Sequence, residues 1–351
     1  MVPADAVPGG SPPRGKPAGI KDVAELAGVS LKTVTNVVHD RPYVSEQTRV
    51  RVRAAIEELD YRPSLAGRQL QSGRSNTVTL AVPRIDEPYV GAMAHAVIEA
   101  AGRQGFAVLI DETAGRPERE AEAISGYPGH GIDGVIYSPL VLSPQRMAAM
   151  SRATPMVLLG AFLPNSTADY VGIDDQHSAR DVIDHLVASG RRRIAFLGGQ
   201  AKRWSGVFQR LDSVLHRLQE HGLPAGPSQV IRTGRFTRYE GRKVMAVQLT
   251  TFDFDALVCA SDLLAIGAMS ALREAGVSVP DDVAVAGWDN VVDGQYHVPT
   301  LTTVAPDLTA LADTAMKALV ARIEGDRSPG TTHWVPHELI VRQSTASHAT
   351  T

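Results

Sequence analysis

Leu31, Lys32 and Asn36 lie within one short stretch, Leu31-Lys32-Thr33-Val34-Thr35-Asn36, as residue types able to read nucleic-acid bases. A lysine can reach guanine acceptors, an asparagine can pair with adenine, and a leucine can touch a thymine methyl group. Around them stand Ser30, Thr33, Thr35, His39 and Thr48, placed for phosphate contacts that fix register and carry little sequence information. Such chemistry requires a helix that turns these side chains outward and a small core that holds the helix.

The flanking residues supply both. Ile20, Val23, Ala24 and Ala27 follow the i, i+3, i+4, i+7 spacing of one helical face, and Gly28 ends that helix. Ser30 suits the N-cap of a second helix, Leu31 to Val38, whose Val34, Val37 and Val38 form a buried stripe. Ser45 caps a third, which buries Val52, Ala55, Ile56 and Leu59. Helix, tight turn and helix, closed by a third, form a helix-turn-helix whose second helix enters the major groove. A helical hairpin that binds protein is the plainer alternative; core spacing, caps and the following segment agree on the first reading.

That following segment runs Tyr61-Arg62-Pro63-Ser64-Leu65-Ala66-Gly67-Arg68-Gln69-Leu70-Gln71-Ser72-Gly73-Arg74-Ser75. Pro63 fits a first helical turn and Gly73 a stop. Together with Asp22-Val23-Ala24-Glu25-Leu26-Ala27-Gly28-Val29-Ser30-Leu31-Lys32-Thr33-Val34, it makes the chain resemble the LacI/GalR family of bacterial transcriptional regulators along almost its whole length. The resemblance implies that this segment is a hinge helix that orders on operator DNA. Gly67 and Arg68 then lie in the DNA-facing hinge, and Leu70 matches a leucine that wedges between base pairs in the minor groove. An apolar wedge unstacks a base step and bends the duplex, which gives a reason for a leucine among polar residues. Gly67 replaces the family's usual alanine, and glycine weakens a helix by roughly 1 kcal/mol.

Composition frames the remainder. The chain has 351 residues, 44% hydrophobic, and a formal net charge of −3. That balance is compatible with DNA binding because the footprint is local: from Ile20 to Thr77 nine Lys or Arg face seven acids, and Arg62, Arg68 and Arg74 fall in the hinge. The single cysteine, Cys259, rules out an internal disulfide and reads as a small buried hydrophobe in a strand. No apolar run of roughly 18 residues is present, so no membrane helix is expected. Residues 1–18 are rich in Pro and Gly without a signal-peptide core and read as a disordered tail; the expected location is the cytoplasm.

Beyond Asn76, short apolar strands such as Val78 to Val82, Phe106 to Ile110, Gly134 to Tyr137 and Ile194 to Leu197 alternate with helices. This α/β rhythm implies parallel sheets joined by right-handed crossovers, with ligand space beyond the carboxyl ends of the strands. The resemblance implies a periplasmic-binding-protein-like core of two parallel-sheet lobes behind the all-α head and hinge. The expected division is a tail at 1–18, a head at 19–62, hinge helix and linker at 63–75, a core at 76–345 and a tail at 346–351. Within the core, one subdomain spans about 76–172 plus 304–328 and the other about 173–303 plus 329–345.

By the same resemblance, Arg210 matches an arginine that holds effector hydroxyls or carboxylates. Ser261-Asp262 and Trp288-Asp289 match strand-end motifs that line the pocket, and Asp86, Tyr89, Ser138, Trp204 and Phe236 fall at other ligand-facing positions. A guanidinium fork opposite carboxylates can satisfy vicinal hydroxyls, so a sugar is the expected effector. Asp262 could alternatively serve only as a helix N-cap. Ser213, Val214 and Leu215 depart from the family pattern after Arg210, and Pro306 replaces a residue that is often polar.

No glycine-rich dinucleotide turn, nucleophile elbow or paired His-Glu zinc motif is present, so neither enzyme, cofactor nor metal is expected. A sugar-binding transport receptor shares the cleft but lacks a DNA-binding head. One helix-turn-helix makes too few base contacts for a genomic site, so a homodimer on a palindrome is expected; the resemblance leaves induction and corepression both open, with induction preferred.

Overall fold

The computed structural model describes residues 18–38, 40–61, 74–141, 154–160, 168–199, 206–250 and 253–346. They fall into two units, one up to Ser75 and one from Asn76 onward.

The first unit holds helices α1 (Ile20–Ala27), α2 (Leu31–Val38) and α3 (Glu46–Glu58). Val23, Ala24, Ala27, Val34, Val37, Val52 and Ala55 form its core, drawn from the three apolar stripes. Gly28 ends α1 at φ 62°, a left-handed conformation that lets the Val29 amide donate back to the Ala24 carbonyl. Ser30 accepts from the Thr33 amide at 3.1 Å, and Ser45 caps α3. The turn between α1 and α2 is thereby tied at both ends.

The second unit contains two six-stranded sheets. In the first lobe β1 (Thr77–Val82), β2 (Ala107–Glu112), β3 (Gly134–Tyr137), β4 (Met156–Leu159), β5 (Asp169–Gly172) and β11 (Thr332–Trp334) run in the order β11-β5-β4-β3-β1-β2, all parallel. Helices α4 (Pro88–Arg103), α5 (Pro117–Ser125) and α11 (Leu308–Ile323) pack on this sheet. The Gly and Pro run after Ser125 stops α5 as its composition predicts, with Gly126 in a left-handed cap.

In the second lobe β6 (Ile194–Gly199), β7 (Val230–Arg232), β8 (Ala256–Cys259), β9 (Ala284–Trp288), β10 (Thr302–Pro306) and β12 (His337–Ile340) run in the order β12-β10-β9-β8-β6-β7. All pairs are parallel except β10 with β12. Its helices are α6 (Asp175–Ala188), α7 (Gly206–Glu220), α8 (Arg238–Gln248), α9 (Asp262–Glu274) and the short α10 (Val292–Tyr296). The inner strands β1, β3, β4, β6, β8 and β9 read as apolar runs because both sheet faces are covered there. Cys259 is fully buried in β8.

Two expected boundaries move. β10 lies wholly in the second sheet, and β11 joins the first as a parallel edge strand beside β5. The first lobe therefore takes the segment from about 307 to 334, not 304 to 328, and residues 329–334 leave the second. A three-residue strand carries too little periodicity to be assigned from sequence. The chain thus passes between lobes three times, after β5, after β10 and after β11.

Candidate functional site

In the head, α2 turns Val34 and Val37 inward and leaves Leu31 and Lys32 exposed, with Thr33, Thr35 and Asn36 half-buried. Leu31 keeps 44% of its surface exposed at the start of the helix. Of the three expected base readers, Leu31 and Lys32 thus face solvent, and Asn36 is half-buried. Ser30 and Thr33 share a hydroxyl hydrogen bond of 2.8 Å, and Ser45 and Thr48 one of 2.9 Å. The Ser30 and Ser45 hydroxyls cap their helices, and all four hydroxyls keep lone pairs that can join a hydrogen-bond network to phosphate. His39, Gly67, Arg68 and Leu70 lie outside the described residues.

Between the strand ends of the two sheets lies a cavity of about 210 Å³. Tyr89, Ser138, Arg210, Phe236, Ser261 and Asp289 all line it. The first turn of α4 supplies Tyr89 and the loop after β3 supplies Ser138, while Ser261 and Asp289 stand just beyond the ends of β8 and β9. Carboxyl ends of parallel strands are where such a sheet leaves room.

Arg210 is fixed from three sides. Its Nε donates to the Asp175 carboxylate at 3.2 Å, its Nη1 donates to the Ala260 carbonyl at 2.6 Å, and its guanidinium lies over the Trp288 ring. α7 can hold it there because Leu211, Val214 and Leu218 form a buried stripe, so the departure at Ser213-Val214-Leu215 preserves the helix's apolar face. Burial pushes the Asp175 carboxyl up, and the neighbouring guanidinium pulls it back in part.

Asp289 sits in strained backbone at φ 105°, followed by Asn290 at φ 51°. Non-glycine residues held so are costly by about 1–3 kcal/mol and persist where the surroundings over-determine them. Here the Asp289 amide donates to the Val304 carbonyl, the Asn290 amide to Thr303 Oγ1, and Arg342 donates to Asn290 Oδ1. Burial drives the Asp289 carboxyl well above its ordinary range, opposed by Arg210 and reinforced by Asp262, Glu87 and Asp175.

Three expected contacts stand elsewhere. Asp262 is fully buried behind the wall; it accepts from Thr303 Oγ1 at 2.7 Å and the Val291 amide at 2.8 Å, and burial pushes it up to about 7. It is not the N-cap of α9 either, because Ser261 fills that role and Asp262 is the first helical residue. Trp288 is fully buried beneath Arg210, so its contribution is to seat that side chain. Asp86 is exposed, paired with Arg84, and lines an outer compartment rather than the inner cavity. Trp204 lies outside the described residues.

Sequence reasoning missed Asp175, Glu87 and Tyr170, which also line the cavity. Asp175 carried a usable signal: it follows an N-cap aspartate, Asp174, and a second carboxylate in a first turn after a strand has no capping duty left. Glu120 was missed as well. Fully buried on α5, it accepts from the backbone amides of Leu140 and Val141 and so pins the loop that carries Ser138.

Comparison with known proteins agrees with both parts of this geometry. Residues 19–64 match the family of bacterial regulatory proteins named for lacI, and residues 183–345 match a periplasmic binding protein-like domain. The chain is 30% identical to the HTH-type transcriptional regulator DegA of Bacillus subtilis, over 93% of this chain and 98% of that protein. It is 31% identical to the regulator GalR of Salmonella typhimurium, over 94% and 96%. Its structure resembles the lac repressor dimer bound to operator and the anti-inducer ONPF, with a TM-score of 0.85 and 27% identity, over 95% of this chain and 100% of that one. The chain belongs to the LacI family: it is a DNA-binding transcriptional regulator, not an enzyme, with helix-turn-helix head and periplasmic-binding-protein-like α/β fold.

Proposed function

We propose that this regulator is a repressor that binds a palindromic operator as a homodimer and releases it when a sugar enters the cleft between its lobes. The observation that carries the reading is the cavity itself, in which a triply anchored guanidinium and the strained Asp289 stand at the strand ends among Tyr89, Tyr170 and Phe236. A fork of donors opposite a carboxylate suits vicinal hydroxyls, and aromatic walls suit the apolar face of a pyranose.

On the DNA side, Lys32 and Asn36 read bases with Leu31 against a thymine methyl, while Ser30, Thr33, Thr35, His39 and Thr48 hold phosphates. Gly67, Arg68 and Leu70 act from the hinge in the minor groove. Dimerisation is supported by apolar surface left open on the second unit: Leu109 and Ile110 on the edge strand β2 with Ile98 on α4, and Tyr296 and Val298 at and just beyond the end of α10. Exposed edges and apolar patches of this kind are normally covered by a partner. The lac repressor in the related structure is a dimer on operator DNA, and the same arrangement accounts for a single short reading helix per chain. No helix among the described residues is long and apolar enough to cross a membrane; the cytoplasm is proposed as its location because that is where a regulator meets its operator.

Effector control follows by linkage. A sugar that favours a lobe arrangement in which the two heads no longer match the half-sites lowers operator affinity by the factor by which operator lowers sugar affinity. The test is fluorescence anisotropy on an operator selected from random DNA, with and without each member of a sugar panel. Binding that is salt-dependent, dimeric and weakened by one sugar supports the reading; a sugar that strengthens DNA binding would reverse its sign to corepression.

A further inference from the structure

The inner cavity shares part of its lining with a neighbour. Pro83, Glu87, Leu140 and Phe236 also line a second, outer compartment of about 600 Å³, so the two adjoin along a largely apolar border. The inner compartment, about 210 Å³, falls below the roughly 300–1,000 Å³ typical of small-molecule sites, whereas the cleft as a whole falls within it.

The outer compartment has a different chemistry. Arg84 and Asp86 from the β1–α4 loop and Glu112 from the end of β2 face Arg235 and Thr237 from the β7–α8 loop. One wall therefore belongs to each lobe. The first wall is braced: Arg84 donates to Asp86, and the Ile85 amide donates to Glu112 at 3.0 Å. With Glu87 included, three carboxylates stand against two guanidiniums. A phosphate or carboxylate would meet more like charge than opposite charge there, and an apolar group would strip water from ionised side chains. A neutral group bearing several hydroxyls, each both donor and acceptor, can be held by both kinds of charge.

We infer that the effector is a disaccharide or longer glycoside, with one sugar unit in the inner cavity and the next in the outer compartment against Asp86 and Arg235. This rests on the sugar-effector reading above and adds length to it. The junction at Phe236 and Pro83 would receive the linkage between rings, and a longer ligand would touch both lobes twice, at the inner and the outer walls.

The test is calorimetry on the full chain with matched pairs, glucose with cellobiose and maltose, and galactose with lactose and melibiose. The parent is compared with Arg235→Ala and Asp86→Asn, both exposed positions. At least one disaccharide should bind about tenfold or more tighter than its monosaccharide, and either outer substitution should remove most of that difference. If a monosaccharide binds as tightly as its disaccharides and both variants bind like the parent, the length inference is overturned while the sugar reading stands. If no sugar of either length binds, both fall together.

Discussion

The guanidinium of Arg210 lies 4.8 Å from the centroid of the Trp288 ring, so the side chain best suited to grip an effector is stacked on the last residue of a core strand. Its fork is held by Asp175 and the Ala260 carbonyl in the plane and by the indole below. A preorganised fork loses less freedom on binding than a mobile one.

Replacing Arg210 with Lys should therefore cost nearly as much effector affinity as replacing it with Ala, because lysine keeps the charge but has neither the planar fork nor the stacking surface. About tenfold or greater loss in calorimetry is expected for both, a charged hydrogen bond contributing roughly 1.5–3 kcal/mol. Parent-like affinity in Arg210→Lys would mean that only charge matters at this position.

Substitutions on α2 should separate affinity from preference. Lys32→Ala and Asn36→Ala should change which bases are selected, with roughly 1–3 kcal/mol lost per bidentate contact. Leu70→Ala should instead weaken operator binding across sequences and leave effector affinity alone, since a wedge acts only on DNA. Selection from random DNA, followed by anisotropy on the winners, distinguishes the two; unchanged base preference in the α2 variants would remove them as readers.

Asp169 and Arg322 form a paired ion bridge in the first lobe, at 2.8 Å with side chains 4% and 10% exposed. Burial pushes the Asp169 carboxyl up, but hydrogen bonds from Arg322 and Thr331 outweigh it and hold it below the ordinary carboxylate range. A folded-state value below the unfolded one stabilises the protein above about pH 4 and loses that stabilisation as pH falls through the folded value. Asp169→Asn should thus lower stability by roughly 3–5 kcal/mol in urea at neutral pH. The gap to the parent should narrow in acid, and a gap that widened in acid would contradict the assignment.

In the second lobe α8 and α9 touch through glycines. A Cβ at Gly267 would stand 2.1 Å from the Arg238 carbonyl oxygen, and one at Gly241 would stand 2.4 Å from that of Leu264. Backbone atoms cannot turn aside as a side chain can, so Gly267→Ala should destabilise by about 1–3 kcal/mol or more despite the better helix propensity of alanine. Thermal unfolding should show a lower midpoint than the parent.

How much of this could be read from the chain depended on periodicity. The head was legible because its apolar spacing, Gly28 and the Ser45 cap all report local geometry, and local geometry is written in neighbouring residues. In the pocket, the family resemblance singled out Arg210, on α7, and Ser261 and Asp289, just beyond the ends of β8 and β9, and all three line the cavity. Asp175 escaped because its partner lies 35 residues away on another helix. Asp262 is expected at the cavity yet faces Thr303, because a carboxylate beside a strand end looks the same in sequence in either case. The edge strand β11 and the outer compartment depend on contacts between distant segments, which no local pattern encodes.

The three passages of the chain between its lobes bear on how such a protein can diversify. Neither lobe is encoded by one continuous stretch, so a recombination event cannot transplant a lobe intact; it would need several simultaneous junctions, each landing between β-strands. The head is one uninterrupted segment with a single exit near Ser75. Shuffling can therefore give a ligand cleft a new operator in one step, whereas a new ligand specificity has to accumulate residue by residue within a cleft whose two walls are interleaved along the gene.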